Sequence, residues 1–302
     1  MKTIAFFNEK GGVGKSSFSI MYASWLKMNG VKVAVADFNE RITTYRNMEI
    51  DARETLRKEK PEIPPLDVNT TWPIVEPKKR EIDSLKDNLH QYPYASWLES
   101  QYHRGGPLEG YDVIVCDFPG SLSGSEVTDL IIMDLLSYVA VPTEIDPQTK
   151  SATIQIHKLL CTKGCEVNHS VFLNKANLNL PNLKSIYFKQ MKNYIDGDPN
   201  AKVLVPGLPM LPDIITYSER MMKIETVSHM RSTFYYPNFD LPEFGDSKDH
   251  GIGNLFIDVT RELVKSKDIK GTGKADLSFI NGCQKRPDKR QYPGSSFPEY
   301  EI

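Results

Sequence analysis

Apolar positions fall along this chain in blocks whose spacing changes. The opening "KTIAFF" is a short apolar run that ends in a Gly-rich turn. In "SSFSIMYASWLKMNG" the apolar residues recur at helical intervals and stop at Gly30, a residue suited to ending a helix. "VKVAVAD" follows as an unbroken Val/Ala run, the mark of a strand buried on both faces. Strand, Gly-rich loop, helix and strand together predict the first βαβ unit of a parallel sheet.

Residues 41–110 are less regular. They hold a charged stretch, "DARETLRKEKPEIPP", a short strand at "WPIVE" and a helix at "KKREIDSLKDNLHQY". "YDVIVCDFPG" reads as a second buried strand ending in an acid, and "LIIMDLLSYVAVP" as helix passing into strand. "VNHSVFLNK" and "AKVLVPGLP" add two strands. "IGNLFIDVTRELVKS" predicts an amphipathic helix with Leu255, Phe256, Val259 and Leu263 on one face. The expectation is an α/β fold over residues 1–264, a twisted, mainly parallel sheet with helices on both faces. From Lys265 to residue 302 the chain turns basic and rich in Gly and Pro, which predicts a partly disordered tail.

Composition narrows the function classes. With 302 residues the chain can bury a substantial core, and a net charge of −2 rules out a protein that coats nucleic acid with its whole surface. Any such contact has to be local, and residues 265–290 carry eight basic side chains against three acids, a net +5. No run of about 18 apolar residues occurs, and Met1 leads directly into the first strand without signal-peptide features, so a cytoplasmic protein is expected. The four cysteines do not form a disulfide framework. Cys161 and Cys165 are spaced C-x-x-x-C, outside the usual zinc patterns, and His157, His169 and His229 show no paired ligand spacing, so the sequence assigns no metal to them.

The chemistry concentrates in "FFNEKGGVGKSSFSI". Gly11, Gly12 and Gly14 let the backbone wrap a polyphosphate and aim its N–H groups at it, flanked by Val13. Lys15 is placed for the terminal phosphates, Ser16 for Mg²⁺, and Ser17 for the start of the helix whose positive end faces the anion. Where the ordinary phosphate loop has its first glycine, this one has Glu9, followed by a second lysine, Lys10.

"KGGVGKS" resembles the deviant Walker A loop of the ParA/MinD-type ATPases. That resemblance implies a P-loop ATPase that uses ATP and Mg²⁺, whose early lysine, here Lys10, reaches the nucleotide of a partner subunit in an ATP-dependent homodimer. "VAVADFN" is similar to the family's D-x-D strand end, which implies a catalytic and water-mediated metal role for Asp37. "YDVIVCDFPG" resembles the Walker B strand and implies that Asp117 holds the metal through water. "VFLNK" is similar to the segment whose asparagine, here Asn174, contacts adenine, and "LVPGLPMLPDIITYSE" to the loop that closes over the base. Asn177 stands where an N-K-x-D motif would need an acid to read guanine, which favours ATP.

One position departs from the pattern. Asn39 replaces the second acid of D-x-D, and an amide can orient the attacking water but cannot take its proton. Slow or partner-stimulated hydrolysis is expected. ParA relatives bind DNA non-specifically and respond to a DNA-bound stimulating protein, whereas MinD relatives use a membrane-binding C-terminal helix. The Gly- and Pro-broken basic tail speaks against membrane and for DNA, in partition or mobilisation of a plasmid or transposable element. The alternative is a positioning or adaptor ATPase whose partner is a protein.

Overall fold

In this computed structural model, the described residues are 1–59, 61, 72–120, 125–162, 164, 166–174, 189–195, 197–204 and 252–283. Seven strands form one all-parallel sheet in the order β3-β2-β4-β1-β5-β6-β7. They are β1 (Lys2–Phe6), β2 (Val33–Asp37), β3 (Ile74–Val75), β4 (Val113–Asp117), β5 (Tyr138–Thr143), β6 (Asn168–Leu173) and β7 (Ala201–Leu204). The apolar runs form strands because every residue of β1, β2, β4 and β5 is buried. Alternation then sorts the side chains into two cores. Phe6, Val35, Val115 and Ala140 face one side, and Ala5, Ala36, Cys116 and Val139 the other.

Helices α1 (Lys15–Met28) and α7 (Ile252–Lys265) cover the first side, where Phe6, Phe18, Tyr22, Trp25 and Phe256 form an aromatic stack with ring centroids 5.2–6.4 Å apart. Helices α3 (Lys79–Asp87), α4 (Pro93–Tyr102), α5 (Ser125–Ile132) and α6 (Pro147–Leu160) cover the second. The helix following β1 and the helix following the adjacent β4 thus lie on opposite faces. A crevice opens between two such strands at their carboxyl ends, where α/β sheets bind ligands.

Two elements differ from the sequence expectation. Residues 51–59 of the charged stretch belong to a helix, α2 (Arg41–Glu59), that is largely exposed and so lacks an apolar period. The helix expected over "KKREIDSLKDNLHQY" ends at Asp87, and α4 begins separately with Pro93 at a helix start, a position where its missing N–H costs nothing.

The chain continues past residue 264 as folded structure. Leu277 and Ile280 are buried in the α1/α7 core, and the Ile269 N–H donates to the Met1 carbonyl at 3.0 Å. Asp268 lies 3.5 Å from the Met1 ammonium, and Lys267 pairs with Asp134. The stretch expected as a tail therefore begins as part of the domain up to Cys283, and the rest of it lies outside the described residues.

Candidate nucleotide site

The Gly-rich loop joins β1 to α1 at the crevice. Its entry is fixed by Asn8, a fully buried residue whose amide donates to the Pro142 carbonyl at 2.8 Å and to Thr153 Oγ1 at 3.2 Å. The Asn8 Oδ1 accepts the Lys10 backbone N–H at 3.0 Å, so one side chain ties the loop to β5 and α6. Nothing in the sequence pattern singled out Asn8. A polar residue directly after a buried strand is the signal that was there to find.

Gly12 and Gly14 have φ of 79° and 92°, a left-handed backbone that L side chains adopt at a cost. A Cβ on Gly14 would lie 3.3 Å from both Asn174 and Phe18. Gly14 caps α1 without any side-chain bond, and the first turn of the helix holds no acid, so its N–H groups face the loop.

The two lysines of the loop go to different places. Lys15 is buried, and its Nζ donates to the Lys10 carbonyl at 3.0 Å, closing over the loop. Burial pulls its pKa down, Asp117 opposes this, and Arg41 adds to it. Gly120 lies against it, where a Cβ would stand 3.0 Å from Nζ. Lys10 instead extends its side chain to Gln148 Oε1 in the first turn of α6.

Asp37 and Asp117 end neighbouring strands in direct register, and both are fully buried. Asp117 Oδ2 accepts Ser16 Oγ at 2.7 Å and the Asn39 side-chain amide at 3.4 Å. Burial, joined by the Asp37 charge, pushes the Asp117 pKa up to about 7 against the pull of Ser16, Asn39 and Lys15. Asp37 is raised as well, first by burial, with the Thr43 and Asn39 N–H groups opposing and Glu76 adding. Glu76, just past β3, is an acid of this site that the sequence reading left unassigned. Asn39 has two roles. Its N–H bonds to Asp37 at 3.1 Å as in a turn, and its side chain reaches into the site.

The donor set suits a hard cation beside a phosphate. Ser16, Asp37 and Asp117 offer oxygen ligands, and two buried carboxylates with one lysine leave negative charge to neutralise. Asn174 gives an independent sign of a ligand. It is buried, its Nδ2 donates to the Val13 carbonyl at 3.0 Å, and its Oδ1 has no hydrogen-bond partner among the described residues. An orphaned buried acceptor costs on the order of 1–3 kcal/mol, which a donor on a bound molecule would offset. Ser17 is half-buried next to Ser16. The loop expected to close over the base, residues 204–219, lies outside the described residues except for Leu204.

Residues 1–73 match the family described as an AAA domain. No curated protein matches the chain by sequence. Among solved structures, the MinD cell division protein of Aquifex aeolicus superposes with a TM-score of 0.54 at 16% identity, covering 89% of this chain and 99% of that one. The MinC:MinD complex of the same organism gives 0.53 at 15% identity, covering 91% and 100%. A putative plasmid partition protein of Borrelia burgdorferi bound to AMPPNP gives 0.47 at 17%, covering 75% and 96%. The chain shares the α/β fold of the MinD cell division protein.

Proposed function

We propose that this chain is an ATP- and Mg²⁺-dependent switch that dimerises on ATP. The observation that carries the reading is the separation of its two loop lysines, Lys15 into its own site and Lys10 out toward α6. A lysine held outside its own phosphate loop is free to neutralise charge on a nucleotide in a facing subunit, an attraction that falls when the γ-phosphate leaves. In this reading Gly11 to Ser17 bind the phosphates, and Ser16 with Asp117 and Asp37 holds Mg²⁺ through oxygen and water. The orphaned Asn174 Oδ1 suits the exocyclic amine of adenine.

Hydrolysis is slow or partner-stimulated, because Asn39 can orient water but not accept its proton. Asn39→Asp should raise single-turnover hydrolysis by roughly tenfold or more. An unchanged rate would remove Asn39 from the explanation. Dimer formation is tested by sedimentation with ATP–Mg²⁺, ADP–Mg²⁺ and no nucleotide. Dimer with ATP alone, lost in Lys10→Ala while ATP still binds, supports the switch, and a dimer in all three states sinks it.

The partner we favour is DNA, contacted non-specifically, in partition or mobilisation of a plasmid or transposable element, with a DNA-bound protein as stimulator. Lys265 and Lys267 bear on this, since both are engaged within the domain, by Glu262 and Asp134. That favours keeping the adaptor reading, with a protein partner, as the second. Duplex binding that needs ATP and weakens as salt rises decides for DNA. Absence of binding in every nucleotide state decides for the adaptor. Among the described residues no helix is long and apolar enough to cross a membrane, and a cytoplasmic location fits either partner.

A further inference from the structure

At the opposite end of the strands from the nucleotide crevice, the end of α6 meets the start of β6. His157 and Cys161 stand one helical turn apart, an i, i+4 spacing that puts both on one face. His169 enters from β6 beneath them. His157 Nδ1 lies 3.0 Å from His169 Nε2 and 3.5 Å from Cys161 Sγ, and one ligand atom of each of the three residues falls within 4.8 Å of the other two. In a tetrahedral zinc site, bonds of about 2.0–2.1 Å to nitrogen and 2.3 Å to sulfur give edges of roughly 3.4 Å for N···N and 3.6 Å for N···S. The three groups are thus close to the spacing that an ion between them would set.

Their surroundings are those of ligands. His169 is buried, and its Nδ1 lies 2.9 Å from the Val167 carbonyl, a bond that fixes the proton there and leaves Nε2 as an open lone pair toward His157. Burial holds both imidazoles below their usual pKa, a shift toward the neutral form that offers a lone pair. The Asp198 carboxylate, in the turn before β7, acts electrostatically on Cys161 and both histidines, and its Oδ1 is anchored by the Asn200 N–H at 2.8 Å. The sequence concealed this set, because its members come from three elements and Cys161 was weighed with Cys165, which lies outside the described residues.

We propose that His157, Cys161 and His169 bind one Zn²⁺ ion at a site that clamps α6 to β6. Sulfur and imidazole donors select zinc over the Mg²⁺ of the nucleotide site. Binding forms the Zn–S bond as the Cys161 S–H bond breaks, and the proton goes to solvent.

The test uses the full, tag-free chain, stripped with chelator and titrated with Co²⁺ in excess Mg²⁺, which keeps the nucleotide site occupied. One equivalent with thiolate-to-cobalt charge-transfer absorption and intense tetrahedral d–d bands is expected, bleached by one equivalent of Zn²⁺. Cys161→Ser should abolish the charge-transfer band and Cys165→Ser should keep it. His157→Ala should weaken Co²⁺ at least tenfold while ATP affinity stays within twofold. Absence of the band in the wild-type chain overturns the proposal without any variant, as does a band that survives Cys161→Ser.

Discussion

Two polar clusters sit at opposite ends of the strands of one sheet, and they differ in how their charge is balanced. At the carboxyl ends of β2 and β4, Asp37 and Asp117 are buried side by side with Lys15 nearby, and both acids are held above their usual pKa. At the start of β6, His157 and His169 are held below theirs. The first is short of positive charge and built of oxygen donors, the second is built of nitrogen and sulfur. Burial drives both sets of shifts by the same mechanism, penalising whichever form is charged. What separates them is the ion each would accept, a hard one beside phosphate or a borderline one held by protein alone.

The sharpest way to break this comparison is to remove Lys15. On the proposed reading Lys15→Ala deletes a charge-assisted contact to phosphate worth about 1.5–3 kcal/mol, so ATP affinity should fall roughly 10- to 150-fold by calorimetry. Cobalt uptake at the His157 cluster should not change. Loss of both together would mean that the two sites are one folding unit. A smaller effect is expected from Gly120→Ala. The new Cβ would stand 3.0 Å from Lys15 Nζ and 3.2 Å from the Glu9 carbonyl, and the lysine end gives way before backbone does. ATP affinity should drop several-fold with the melting temperature nearly unchanged. An unaffected affinity would show that Lys15 has room to spare.

The nucleotide site was legible because its parts are consecutive or end an apolar run. A Gly-rich loop between strand and helix announces itself, and Asp37 and Asp117 each close a buried strand, where a carboxylate has few other reasons to stand. Asn8, Gln148 and Glu76 were not legible. Each acts through a neighbour brought up by sheet register or by the packing of α6, and a single asparagine or glutamate has no period to read. The histidine cluster was hidden for the same reason in stronger form. Helix α2 was missed for the opposite cause, since an exposed helix needs no apolar stripe to be read.

The mildest prediction concerns the end of α6 that lies away from the histidine cluster. Asp146 caps this helix, its Oδ1 accepting the Gln148 and Thr149 N–H groups at 2.9 Å each. Burial alone would raise its pKa, but these bonds and the Thr149 hydroxyl hold it below the usual value. A depressed carboxylate stabilises the fold above its unfolded pKa, near 4, and the contribution is lost as pH falls through the folded value. Asp146→Ala should therefore cost about 1 kcal/mol in urea unfolding at pH 7, a typical cap effect. The gap between variant and wild type should narrow as pH drops below about 4. The cap also sets Gln148, the residue on which Lys10 rests, so the variant separates two uses of α6. If the ATP-dependent dimer weakens more than stability does, the capped end of α6 takes part in the switch. If both change little, Lys10 finds its partner without Gln148.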